Sequence, residues 1–225
     1  MSFLEHLEEL RKRLVIILVF FTIVASISFF FSWQAFSFLV RPAGDIELIY
    51  LSPIEPFVVK LKIALFSGII FSLPIIFYQM FAFIFPALKE NEKKIIWIVI
   101  ASIVLFLMGC LFSFFVVLPF ALKWLFSQAE GVLSSSIRAE YYIGFVCWFV
   151  FIFGFIFEAP LIVISLIKLK VCTYRDLRLK WQFVYIGILI ISAVLTPDWN
   201  PVTMFLMAIP LIFLYEVSLL VGKIL

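Results

Sequence analysis

The strongest constraint on the fold is an apolar run at residues 14–31 that contains no charged side chain. In an α-helix a run of this length spans about 27 Å, close to the ~30 Å hydrocarbon core of a bilayer. The run is longer than the apolar core of a cleavable signal peptide, which has about 7–15 residues. We therefore predict that residues 14–31 form a permanent transmembrane helix.

Composition extends this prediction to the whole chain. Of its 225 residues, 66% are hydrophobic and 14% are charged, whereas a soluble globular domain has about 25% charged residues. The net charge of +3 is small and gives no indication of a nucleic-acid partner. We expect an all-α integral membrane protein that binds no nucleic acid.

We predict a single transmembrane domain that comprises residues 1–225. Short polar segments divide it into six predicted spans. The fifth and sixth spans are short, and the fifth, with only 15 residues, reaches about 22 Å. We therefore expect the fifth span, joined to the sixth by a tight turn, to thin the bilayer locally. We place the spans at approximately residues 14–31, 57–85, 95–118, 141–167, 181–195 and 202–221.

Lysine and arginine are distributed unevenly between the two ends of these spans. Of the 17 basic residues, all but five fall on the side that carries residues 1–13. By the positive-inside rule, this asymmetry predicts that both chain termini are cytoplasmic. The five exceptions are Arg41, Lys60, Lys62, Lys123 and Arg138.

Residues 1–13 predict a short amphipathic helix that runs directly into the first span. Glu8 and Glu9 precede Lys12 and Arg13 by four residues, which is the favourable order for helical ion pairs. The simplest interpretation is a solvated helical face. Membrane topology, however, requires only basic residues here, so the glutamates are also candidates for binding a cationic partner.

The sequence contains no motif typical of an enzyme or a resident cofactor. His6 is the sole histidine and lies in HLEEL, which lacks the second histidine of the H-E-x-x-H zinc motif. The three cysteines, Cys110, Cys147 and Cys172, are an odd number, which argues against a disulfide framework. We expect neither catalysis nor a cofactor nor a metal.

Glu158 is the most informative single residue, because it lies within the apolar fourth span, two residues before Pro160. A carboxylate inside the bilayer costs several kcal/mol unless it is neutral, paired or in contact with water. Two interpretations remain open: a buried hydrogen bond that fixes two helices, or a functional group. Glu216 lies nearer to a span end, where its side chain can reach the interface.

The order and spacing of several motifs resemble the TatC family, the large polytopic membrane subunit of the twin-arginine protein translocase. The resemblance covers nearly the whole chain. Its motifs are LEELRKRL at 7–14, SPIEPF at 52–57, LPIIFYQ at 73–79, FIFPAL at 83–88 with EKK at 92–94, FGFIFEAP at 153–160, and LTPD at 195–198.

The resemblance implies a receptor that binds the Arg-Arg signal peptides of folded cargo proteins. It implies six spans in a concave, cupped bundle in the bacterial cytoplasmic (inner) membrane, with transport driven by the proton gradient. Glu158 would be the intramembrane polar residue of the concave face. The implied signal-peptide-binding residues are Glu9, Leu10, Arg11, Phe85, Pro86, Leu88 and Glu92.

The resemblance also implies partners: single-span Tat subunits of the TatA and TatB type, which would dock near the fifth and sixth spans. The assembly would be an oligomeric complex. Asp198 and Thr203 are the candidate docking residues. After Asp198 the chain lacks the second proline and the glutamine that the family usually has. Thr203 is the nearest polar substitute for that glutamine.

Two other classes of function fit part of these observations. A proton-coupled secondary transporter of a small solute would use Glu158 as its proton carrier, but such proteins usually contain structural repeats. The similar fragments around Pro74, Pro160 and Pro210 are unequally spaced and predict shared kinks, not a repeat. A purely structural membrane scaffold would leave Glu158 and the cytoplasmic glutamates unexplained.

Overall fold

The computed structural model describes residues 3–44, 47–84, 92–127, 137–168, 172–195 and 201–224. Within these ranges the chain is helical apart from short connections and one pair of two-residue strands, which confirms the prediction of an all-α protein. The elements are α1 (Phe3–Phe30), α2 (Ser32–Leu39), a 3₁₀ turn (Arg41–Ala43), β1 (Leu48–Ile49), α3 (Glu55–Ile84), α4 (Glu92–Phe112), a π-helical turn (Ser113–Val117), α5 (Leu118–Ser127), β2 (Ile137–Arg138), α6 (Ala139–Phe157), α7 (Ala159–Lys168), α8 (Tyr174–Leu179), α9 (Trp181–Leu195) and α10 (Pro201–Ile224).

Five helical segments are long and apolar enough to cross a bilayer, and the apolar helix α9 is shorter, with 15 residues. This confirms the prediction of a multi-pass membrane fold with a short fifth apolar helix. The final helix α10 is longer, with 24 residues. The five segments are Glu5–Phe30, Glu55–Phe83, Ile96–Ser127, Ala139–Ile167 and Pro201–Lys223.

One compact unit comprises Met1–Val104 and Ser136–Cys147. In it α1 packs along α3, and Gly68 allows the close approach, since a Cβ at this position would stand 2.8 Å from the Cβ of Ala25. Strand β1 pairs in parallel with β2. Helix α2 was not predicted from the polar segment after the first span.

The other compact unit comprises Leu105–Ser135 and Trp148–Leu225. Here the second half of α4 packs against the second half of α6 around fully buried aromatic rings, including Phe106 and Phe153. Two glycines permit this contact: a Cβ on Gly109 would overlap Phe153, and one on Gly154 would overlap the ring of Phe106. The contact thereby buries apolar side chains of both helices.

Helix α8 begins with a capping box, as the T-x-x-D pattern predicts. The Thr173 hydroxyl accepts a hydrogen bond from the Asp176 N–H at 3.2 Å, and Asp176 Oδ2 accepts one from the Thr173 N–H at 3.0 Å. The Thr173 hydroxyl also donates to Asp176 Oδ2, at 2.6 Å, and this bond, together with the one from the Thr173 N–H, lowers the pKa of Asp176 below its usual range. The reciprocal pair fixes the start of a helix too short to be stable alone.

Candidate functional site

The predicted rim residues on α1 are all described, whereas those after α3 are only partly so. Leu10 and Arg11 are exposed on α1, and Glu92 is the first residue of α4. Phe85, Pro86 and Leu88 lie outside the described residues. The structure therefore locates the α1 half of the predicted peptide site in detail.

Glu9 is the partly buried carboxylate of this rim. Arg13 donates to its Oε1 through Nη2 at 2.6 Å and through Nε at 3.2 Å, and the two side chains are only 20% and 18% exposed. Arg13 Nη1 also donates to Gln79 Oε1 on α3 at 2.9 Å. The predicted i, i+4 pairing is confirmed, and it is joined by a contact with another helix that spacing alone does not reveal.

The neighbouring pair with the same spacing is different. Lys12 and Glu8 are separated by 3.9 Å, and their side chains are 74% and 66% exposed. An exposed pair at this distance adds little to stability and is readily hydrated. The solvated-face interpretation thus fits Glu8, whereas Glu9 is partly buried and held by Arg13.

Aromatic stacking also holds the start of α1 against the end of α3. The His6 ring stacks on Phe83 with centroids 4.3 Å apart and planes 17° from parallel. Phe83 is one helical turn beyond Gln79, the residue that Arg13 contacts. The first turns of α1 are therefore attached to α3 at two successive turns, which gives Glu9 a defined position.

Glu158 lies at a break between two helices. Its N–H donates to the Phe155 carbonyl at 3.0 Å, and its own carbonyl accepts from the Ile162 N–H at 3.1 Å. Pro160 has no N–H to donate to the carbonyl four residues earlier, which explains why α6 ends at Phe157 and α7 begins at Ala159. The predicted fourth span is thus divided, and Glu158, which is 6% exposed, occupies the point of division.

The two predicted docking residues lie near the α9–α10 connection. Asp198 is outside the described residues. Thr203, on the first turn of α10, has no exposed surface, so another chain would reach its side chain only after this region was uncovered. Docking at these positions stays a prediction.

A polar cluster that sequence reasoning missed joins α8, α9 and α10; we call it the hairpin cluster (Leu177, Arg178, Tyr185, Tyr215 and Glu216). Arg178 Nη1 donates to both carboxylate oxygens of Glu216, and the Tyr185 hydroxyl donates to Oε1 at 2.6 Å. The Tyr215 hydroxyl donates to the Leu177 carbonyl at 3.0 Å. The available signal for this cluster in the sequence was an acidic residue, Glu216, in the last apolar helix, together with the basic segment that precedes α9.

A second ionic group, also missed, joins the start of α3 to β2 and the start of α6. Arg138 pairs with Glu55, which is 2% exposed, and Lys62 donates to Glu140 at 2.9 Å. The Arg138 guanidinium also lies 4.7 Å from the centre of the Tyr141 ring. The Glu55 carboxylate raises the pKa of Arg138, so this side chain keeps its charge.

No group of three or more histidine, cysteine or acidic side chains suited to a metal ion occurs in the ranges that the structure describes. Cys110, Cys147 and Cys172 are free thiols. The polar groups described above are therefore carboxylates paired with guanidinium or ammonium groups, and the buried Glu158.

Comparison with known proteins identifies the family. The family model described as "Sec-independent protein translocase protein (TatC)" matches residues 5–210. TatC of Aquifex aeolicus is 40% identical over 230 residues, which cover 99% of this chain and 95% of the relative. TatC of Helicobacter pylori is 37% identical over 219 residues, which cover 97% and 87%.

Solved structures give the same result. A crystal structure of the twin arginine translocase receptor TatC superposes with a TM-score of 0.85 at 38% identity, covering 97% of this chain and 98% of the other. A second crystal structure of that receptor, in DDM, gives a TM-score of 0.86 at the same identity. The chain is a multi-pass membrane protein that belongs to the TatC family of Sec-independent protein translocase proteins.

Proposed function

We propose that this protein is the receptor and core subunit of a twin-arginine translocase in the bacterial cytoplasmic membrane. The observation that carries the proposal is the similarity, over almost the whole chain, to crystal structures of the twin arginine translocase receptor TatC. The protein binds Arg-Arg signal peptides of folded proteins and acts without catalysis of its own. Transport draws on the proton gradient.

The chemistry of the rim supports recognition of arginine. A guanidinium group offers a planar fork of N–H donors that matches a carboxylate, whereas a lysine ammonium presents a single point charge. Glu9 and Glu92 supply the two carboxylates, one for each arginine of the pair. Leu10 and Arg11 border the site on α1, and Phe85, Pro86 and Leu88 border it beyond α3.

Assembly with single-span subunits of the TatA and TatB type forms the second part of the proposal. Apolar side chains on α9 and α10 remain exposed, among them Phe183 at 75%, Val194 at 75% and Phe213 at 66%. In a bilayer such faces pack against lipid or against another helix. Of the predicted docking residues, Asp198 precedes α10 in the sequence and Thr203 belongs to its first turn. The assembly is a larger oligomer.

The comparisons do not support the small-solute transporter that Glu158 alone allowed. Every relative and structure reported above is a protein translocase component by name. Glu158 keeps a place in the proposed function as a buried polar residue at a helix break, where it is expected to bind a partner helix or the cargo signal segment.

Binding of the purified protein to immobilised peptides tests the proposal. A signal peptide with the Arg-Arg pair should retain the protein, and the same peptide with Lys-Lys should retain much less of it. Equal retention on both peptides would contradict the proposed receptor function. A scrambled peptide of equal charge controls for nonspecific attraction between cationic peptide and acidic rim.

A further inference from the structure

The Glu9 carboxylate already has a guanidinium partner within the chain. We propose that Arg13 is an internal ligand of Glu9, which occupies this carboxylate until an arginine of the signal peptide displaces it. The inference rests on the proposed receptor function and adds to it a residue that determines the affinity of the peptide site. It makes peptide recognition an exchange of one guanidinium for another.

The contact geometry distinguishes this pair from an ordinary helical ion pair. Two donors of Arg13 converge on Glu9 Oε1, at 2.6 and 3.2 Å, and both side chains are about four-fifths covered. The Lys12–Glu8 pair, one residue earlier on the same helix, is longer and mostly exposed. Arg13 therefore holds one oxygen of the carboxylate that an incoming arginine would bind.

Gln79 gives the displaced side chain a second partner. Its Oε1 accepts from Arg13 Nη1 at 2.9 Å, from the side of Arg13 that Glu9 does not use. When a peptide guanidinium takes over Glu9 Oε1, Arg13 retains this hydrogen bond to α3. The exchange then costs less than full release of a charged side chain into a partly buried region.

The exchange costs the same for every peptide, and arginine is preferred over lysine because it binds Glu9 better. A peptide guanidinium restores both hydrogen bonds that Arg13 gives up, whereas an ammonium lacks the planar fork and restores them less well. Because only molecules with Glu9 released can bind, the apparent Kd of every peptide is the intrinsic Kd divided by the released fraction. Removing Arg13 should thus tighten the binding of both peptides by the same factor and leave the ratio of their Kd values unchanged.

The test measures the Kd of fluorescent Arg-Arg and Lys-Lys signal peptides on the full chain in lipid nanodiscs. Arg13→Gln is compared with Lys12→Gln, which removes the same charge one residue away without touching Glu9. We expect Arg13→Gln to bind the Arg-Arg peptide roughly 3- to 10-fold more tightly than Lys12→Gln does, as for release of one partly buried pair. Its ratio of Lys-Lys to Arg-Arg Kd should equal that of Lys12→Gln, because the release of Glu9 costs the same for both peptides.

A charge-neutral variant gives an opposite expectation. Gln79→Leu removes the second partner of Arg13, so Arg13 should leave Glu9 less readily and the Arg-Arg peptide should bind several-fold more weakly. In an Arg13→Gln background the same change should have no effect on binding, since the two substitutions act through one contact. If Arg13→Gln does not yield folded protein, Gln79→Leu alone decides, and unchanged or tighter binding overturns the inference.

Glu9→Gln separates this inference from the proposed function. If Glu9→Gln binds the Arg-Arg peptide as the wild type does, peptide recognition at Glu9 fails altogether. If Glu9→Gln binds weakly but Arg13→Gln binds no more tightly than Lys12→Gln, recognition stands and the internal-ligand role of Arg13 is wrong.

Discussion

Arg178 on α8 and Glu216 on α10 form a forked ion pair in which one guanidinium nitrogen donates to both carboxylate oxygens, at 2.9 and 2.8 Å. Tyr185 on α9 donates to the same carboxylate at 2.6 Å. The three residues belong to three different helices, and two of these helices form the hairpin near which small subunits are predicted to dock. The pair therefore determines how α8 is attached to that hairpin.

The first prediction concerns this hairpin cluster. Arg178→Gln should lower the free energy of unfolding by about 0.5–1 kcal/mol, since Arg178 and Glu216 are 53% and 34% exposed and solvent screens the pair. Thermal unfolding in detergent measures the effect. Arg175→Gln, on the same exposed helix, is the control and should change stability less; an equal loss in both variants would show that the pair contributes nothing.

The second prediction follows from the capping box of α8. A carboxyl group with a lowered pKa in the folded state stabilises that state above its unfolded pKa, and the contribution disappears as pH falls through the folded value. Asp176 is such a group. The difference in melting temperature between wild type and Asp176→Asn should therefore be present at pH 6 and shrink towards pH 3. A difference that grows on acidification would contradict this account.

Local interactions were predictable from the sequence, and long-range ones were not. The Thr173–Asp176 box and the Glu9–Arg13 pair follow from spacing along one helix, and the long helices follow from uncharged runs that only a membrane suits. The pairs Arg178–Glu216 and Glu55–Arg138 depend on which elements become neighbours in space. A single sequence considered alone carries no record of this. Pro160 indicated a kink in the fourth span, but periodicity did not show that the helix ends at Phe157.

The third prediction concerns topology and depends on the uneven distribution of lysine and arginine. In a chain without its native cysteines, single cysteines at Asn91 and Arg175 should be shielded from a membrane-impermeant thiol reagent in intact cells. A cysteine at Asp45 should be labelled. All three should react after the membrane is permeabilised, which controls for accessibility; labelling at Asn91 but not at Asp45 would reverse the orientation.

The fourth prediction concerns the rim carboxylates. Glu9→Gln and Glu92→Gln should each weaken binding of an Arg-Arg signal peptide by about 1–3 kcal/mol, the usual loss for a charge-assisted hydrogen bond. Fluorescence anisotropy with a labelled peptide measures this loss. Glu8→Gln is the matched control, because Glu8 carries the same charge on the same helix but is 66% exposed. Equal binding by all three variants and the wild type would remove both residues from the peptide site.

The last prediction concerns Glu158, a residue that is 6% exposed at the break between α6 and α7. In a low-dielectric setting a hydrogen-bonding side chain of the same shape can replace a carboxyl group, while an apolar one leaves nearby polar backbone groups at the helix break without a partner. Glu158→Gln should therefore keep the fold and much of the transport activity. Glu158→Leu should keep the fold but lose transport, measured as export of a folded reporter with an Arg-Arg signal peptide. Phe155→Leu, at an exposed position near the end of α6, is the control and should export normally. If Glu158→Leu also exports normally, Glu158 has only a packing role.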